Sequence, residues 1–149
     1  PIGNMVNQLA YQLDVLKGPR IGCPFGKQSG GIIFANKVEA LYAGISMQLA
    51  VASIENLKST YTANASGKGI SDYLIALDKV TLNNDVLAQI DVTTEKLKTI
   101  PDPLSNSLYS NTGDVDAAYK EIQKLVTFFK TDVASATGVQ INFLDNDGD

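Results

Sequence analysis

The strongest constraint on this chain is an apolar stripe near its C-terminal end. From Val115 through Ala118, Ile122, Leu125, Phe129 and Val133 to Ala136, apolar residues recur in steps of three and four. That spacing lines one face of an α-helix and does not suit a strand, where side chains alternate with period two. A helix so patterned must hide its stripe against other apolar surface. The chain supplies the partners: Met5, Val6, Leu9, Leu13 and Leu16; then Met47, Ala50, Ile54, Leu57 and Tyr61; then Val86, Ile90, Thr93, Leu97 and Ile100. Four such stretches predict an all-α fold, an antiparallel four-helix bundle with a long Gly-rich loop after the first helix. At 149 residues the chain fits one helical-bundle domain spanning 1–149.

Punctuation residues set the expected boundaries. Gly18-Pro19 predicts the end of the first helix, and Pro101 with Pro103 the end of the third. Asp114 and Asp116 put negative charge in the first turn of the fourth helix, and Gly138 stands where a left-handed C-terminal cap belongs. A shorter helix is expected over Ser71 to Leu77, capped by Ser71 or Asp72. Residues 62–69 read as a surface loop and 101–113 as a connection with one helical turn. The tail from Val139 is expected to run extended across the bundle, tucking Val139, Ile141 and Phe143 inward. The stretch from Lys17 to Asn36 holds five Gly and two Pro alongside Ile21, Phe25, Ile32, Ile33 and Phe34. Long ordered loops of this kind tend to carry function or to cover something.

Two absences narrow the chemistry. The chain has no His, which removes the commonest general base and transition-metal ligand. It has one Cys, Cys23, so neither an intrachain disulfide nor a Cys-rich zinc site can form. No Ser-His-Asp or Cys-His machinery can be assembled from these residues, and no catalytic residue is assigned. The net charge is −4 with the Lys residues dispersed, which argues against a nucleic-acid binder. No apolar run is long enough to span a bilayer, and the N-terminus lacks the pattern of a signal peptide, so an exported protein is expected in processed form.

Motif-like runs mostly resolve to ordinary structure. Gly22-Cys23-Pro24-Phe25-Gly26-Lys27-Gln28-Ser29 misses the phosphate-loop spacing by one residue and places Gln28 where the magnesium-binding hydroxyl belongs. Cys23, without a His partner or resolving Cys, reads as a small packed side chain. Asp145-Asn146-Asp147-Gly148-Asp149 opens like a calcium loop, but the closing Glu that an EF-hand needs does not follow in this sequence. Asn64-Ala65-Ser66 fits a glycosylation sequon, relevant only in a eukaryotic secretory pathway. Asp14, Arg20, Lys27, Glu39, Tyr42 and Ser46 flank one end of the first and second helices. Their carboxylates could ligate a hard or borderline metal, with Arg20 and Lys27 holding anions or neighbouring acids; the alternative is helix-end charge balance.

The ordered set of motifs resembles a known family. Met5-Val6-Asn7-Gln8-Leu9 and Arg20-Ile21-Gly22-Cys23-Pro24-Phe25-Gly26-Lys27 resemble the start of the second half of imelysin-like proteins. Val38-Glu39-Ala40-Leu41-Tyr42-Ala43-Gly44-Ile45-Ser46 is similar to the family's Glu-x-x-Tyr-Ser segment, with Ala43 where Ser is usual. Gly69-Ile70-Ser71-Asp72, Ile100-Pro101-Asp102-Pro103, the run from Thr131 to Val139 and the acidic terminus continue the match in order.

The resemblance implies a bacterial periplasmic or outer-membrane lipoprotein associated with iron uptake, from a family that includes metallopeptidases. It implies two helical bundles with a site at their junction, this chain being the C-terminal one. The family's Gly-x-His-x-x-Glu motif belongs to the first half and has no counterpart here. The expected partners are therefore a missing N-terminal imelysin-like domain and other envelope iron-uptake proteins. No cofactor is expected in this chain alone, and iron or another divalent metal in the full-length protein. Arg20, Lys27, Glu39 and Tyr42 would line this domain's face of the junction. Three readings follow: a non-catalytic domain contributing one face of a metal or ligand site, half of a metallopeptidase active only with its first domain, or a structural partner-binding bundle.

Overall fold

The computed structural model describes residues 1–143, and every element among them is helical. α1 spans Ile2–Val15, α2 Ser46–Thr62, α3 Ile70–Ala76, α4 Val80–Lys98, α5 Leu104–Ser110, α6 Thr112–Thr127 and α7 Ala134–Thr137. The predicted stripes are the core. Val6, Leu9, Leu13 and Leu16 of the first face are buried, as are Ala50, Ile54, Leu57 and Tyr61 of α2. Val86, Ile90, Thr93 and Leu97 of α4 meet Val115, Ala118, Ile122 and Leu125 of α6 in the same interior.

α6 packs on α4, α4 on α2, and α1 on α6, with neighbours antiparallel; direct packing of α1 on α2 is marginal at most. Among the described residues, buried side-chain polar atoms other than Arg20 Nε are hydrogen-bonded, as groups away from water need to be. The Tyr61 hydroxyl donates to Asn83 Oδ1 at 2.8 Å, and the Tyr61 ring meets Phe129 edge-on at 5.8 Å. Burial pushes the Tyr61 hydroxyl's pKa well above its ordinary value.

Gly18-Pro19 does not end the first helix. The chain continues through Leu16–Gly22 as a π-helical segment with Pro19 inside it. Its bonds reach five residues back, as from Cys23 N to Gly18 O at 2.8 Å. Widening the turn accommodates a ring that would crowd the carbonyl four residues back in a normal helix. A second π segment, Phe128–Val133, joins α6 to α7 in one rod that ends at Gly138 with φ 69°.

Other boundaries also moved. The 101–113 connection holds all of α5 rather than a single turn. α3 begins at Ile70, with Gly69 N donating to Asp72 Oδ2 at 3.1 Å. The tail runs extended along α1 as expected. The Asn7 amide donates to Gln140 O and accepts from Asn142 N, both at 2.9 Å, and Val139, Ile141 and Phe143 pack against the core. The acidic run Asp145–Asp149 lies outside the described residues.

Candidate functional site

The Gly-rich stretch is a folded element. Phe34 N donates to Pro24 O at 2.8 Å and Gly31 N to Gly26 O at 2.8 Å, folding the loop back on itself. Gly26, at φ 84°, has the backbone of Gly31 and Ile32 where a Cβ would stand. The loop is held to α6 by Lys27, whose ammonium lies 2.6 Å from Asp116 Oδ1 and over the rings of Tyr119 and Phe25, at 5.0 and 5.5 Å from their centroids. Lys120 takes the other Asp116 oxygen at 2.7 Å. Hydrogen bonds from Lys120 and then Lys27 hold the Asp116 carboxyl below its ordinary pKa.

Three of the sequence-predicted residues meet. Arg20 leaves the first π segment and places Nε 2.6 Å from Glu39 Oε2, an ionic contact made off the N–H axis. Its Nη1 donates to Ser53 Oγ on α2 at 2.8 Å, and Ser53 in turn donates to Leu49 O at 2.9 Å. Ser46, the first residue of α2, donates its hydroxyl to the backbone carbonyl of Glu39. Arg20, Glu39 and Ser46 thus fasten residues 35–45 across the start of α2, and the Glu39 side chain keeps 45% of its surface exposed. Tyr42, three residues on, is fully exposed and touches no part of this cluster.

The other predicted residues lie elsewhere. Asp14 is wholly buried against the second π segment, 3.0 Å from Lys130 Nζ, with Lys17 buried near the same helix end. Lys27 belongs to the Asp116 cluster. The sequence reading missed Ser53, Asp116 and Lys130, each far along the chain from its partner. It also missed Asp102, whose carboxylate accepts from Met47 N at 2.8 Å and Gln48 N at 3.0 Å and so caps α2. No spacing rule brings residues 54 or 55 positions apart together.

Among the described residues no three His, Cys, Asp or Glu side chains converge, and the half-exposed carboxylate of Glu39 is already beside a guanidinium. A groove of about 1050 Å3 along α4 and α6 is lined by Gln89, Lys96, Lys120, Glu121, Lys124 and Phe128. Its charges answer one another: Lys124 pairs with Glu121 at 2.9 Å. Gln89 donates to Glu121 at 2.7 Å and, with Lys124, lowers that carboxyl's pKa. This is a solvated interhelical face rather than a converging set of reactive groups. No described helix is long and apolar enough to cross a membrane.

The Imelysin family model, of peptidase family M75, matches residues 1–130. No curated protein and no solved structure matches the chain. A match over that much of the 149 residues places the chain in the imelysin family.

Proposed function

We propose that this imelysin-family chain is a non-catalytic helical domain of a bacterial envelope protein that handles iron. In this reading it contributes one face of a site whose metal or ligand is held mainly by an N-terminal imelysin-like domain. Family membership is one support. The observation that carries the reading is the fastened segment 35–45, where Arg20, Ser46 and the cap on α2 hold a half-exposed carboxylate and the exposed Tyr42 at one end of the bundle. Glu39 offers oxygen to a hard or borderline cation, and Arg20 fixes where that oxygen stands. Lys27 serves this face indirectly by keeping the Gly-rich loop on α6. The setting is the periplasm, as a soluble or lipid-anchored processed form.

The test is iron titration of the protein as its gene encodes it, with wild type beside Glu39→Gln. Loss of a Glu39 ligand is expected to weaken iron binding about tenfold or more, the range for losing support at a metal site. Unchanged affinity in Glu39→Gln overturns the proposed face.

The family's peptidase designation favours a second reading, half of a metallopeptidase completed by the first domain. Metal-dependent proteolysis by the whole protein, abolished by replacing the family's His in that domain, would decide for it.

A further inference from the structure

The helix ring is closed on three sides. α1 meets α6, α6 meets α4 and α4 meets α2, whereas the backbones of α1 and α2 stand further apart, bridged by Arg20 from the first π segment to Ser53 and, toward the other end, by α3. A bundle normally seals such a seam with apolar side chains. Here the seam is an open groove of about 300 Å3, lined by Gln8, Tyr11, Gln12, Arg20, Ser53 and Asn56, with Val15 the one aliphatic side chain among them. That volume is at the small end of ligand clefts.

The lining has a definite chemistry. It holds one cation, three amides, two hydroxyl groups and no carboxylate. The cation is anchored at two points, with Glu39 at Nε and Ser53 at Nη1. A guanidinium carries five N–H groups in a rigid plane; the Ser53 contact takes one of the two on Nη1, while the Glu39 contact lies off the Nε–H axis and takes none. The two Nη2 hydrogens stay available on the guanidinium plane, whose fork matches a carboxylate. Because the fork is already immobilised, less side-chain entropy is lost when a ligand seats on it.

We propose that the α1–α2 seam binds a small organic carboxylate. Its carboxylate sits on the guanidinium of Arg20, and its remaining polar atoms on the amides of Gln8, Gln12 and Asn56, with the half-exposed Tyr11 ring as the wall. A neutral polyol would leave the guanidinium edge without an anion, and an inorganic dianion would find one cation only. The binding is a property of this chain alone and does not rest on the inter-domain reading of Glu39.

The experiment is a metal-free NMR titration of the isotopically labelled chain with lactate, a hydroxylated monocarboxylate, at low salt, with sulfate and glucose titrated in parallel. Saturable shifts are expected at the side-chain amides of Gln8, Gln12 and Asn56 and at the Arg20 guanidinium, weakening as salt screens the charge. Arg20→Lys, which replaces the planar fork with a point charge, should weaken lactate binding about tenfold. Gln12→Leu leaves both Arg20 anchors in place and should weaken it by several-fold. Absence of saturable shifts, equal shifts with sulfate or glucose, or unchanged affinity in a folded Gln12→Leu protein overturns the proposal. Since no metal is present in any arm, such a failure leaves the Glu39 reading untouched.

Discussion

Gly22 and Gly26 are the residues on which the loop geometry depends most directly. A Cβ on Gly22 would stand 2.7 Å from Lys17 O and 2.8 Å from Tyr119 Cε2. One on Gly26 would stand 2.6 Å from the Gly31 carbonyl carbon, on a backbone already at φ 84°. Overpacking against backbone costs about 1–3 kcal/mol, and a left-handed conformation adds about 1–2 kcal/mol. Gly26→Ala is therefore expected to lower stability more than Gly30→Ala, whose position is also left-handed but faces open space. Urea unfolding of the two variants checks the order, and equal losses would show that the close approach is unimportant. Asp14 is a second residue of this kind. Removing a fully buried carboxylate from beside Lys130 is expected to cost about 3–5 kcal/mol in Asp14→Ala, read by the same unfolding curves. Neither Lys130 nor Asp116 could be found from the sequence, because the contacts Asp14–Lys130 and Lys27–Asp116 join residues 116 and 89 positions apart. Charge type was legible there, and pairing was not.

α2 shows how a helix can depend on a distant residue. Its N-cap is Ile45, which has no side-chain oxygen, so the first turn starts with amides that nothing nearby can satisfy. Asp102 accepts from two of them and places negative charge at the positive end of the helix. Asp102→Ala is expected to cost about 1–2 kcal/mol, with Asp102→Asn retaining part of that as a neutral acceptor. Hydrogen exchange gives the sharper readout: protection should fall first at Met47 and Gln48, and a uniform loss along α2 would count against the cap. Since Ser46 and Glu39 are fastened at that same turn, the cap also holds the candidate site in place. The apolar stripe of α2 was readable because burial imposes a period of three and four on Met47, Ala50, Ile54, Leu57 and Tyr61. Its start was not readable, because the stabilising group comes from another part of the fold. Pro19 misled for a related reason. Proline has no N–H to give and its ring crowds the carbonyl four residues back, but the wider π turn relieves that crowding.

At the scale of the whole molecule, the closed part of the bundle was visible as four apolar faces, whereas the open α1–α2 seam was not. Gln8, Gln12 and Asn56 lie off the stripes, where amphipathicity predicts only solvent. The whole-molecule charge pattern leads to a stability profile with an unusual shape. There is no His to titrate between pH 5 and 9, so no His-linked slope can arise there. At the acid end, Asp116 and Glu121 have folded pKa values below their ordinary 3.8 and 4.5. The unfolded chain then binds protons that the folded one refuses. The stabilisation from these groups is full above the unfolded values and is lost as pH falls through the folded ones. At the alkaline end the sign reverses. Tyr61 holds its proton more tightly when folded, so its contribution is full below its ordinary value of 10.0 and fades as pH rises beyond it. Melting temperature should therefore be nearly flat across pH 5 to 9, falling below about pH 4.5 and above about pH 10. Asp116→Asn should shallow the acid limb and Tyr61→Phe the alkaline limb, while neither changes the plateau's slope. A melting temperature that changes steadily through the neutral range would mean that some other group's proton affinity is coupled to folding, and that Asp116, Glu121 and Tyr61 do not set the profile.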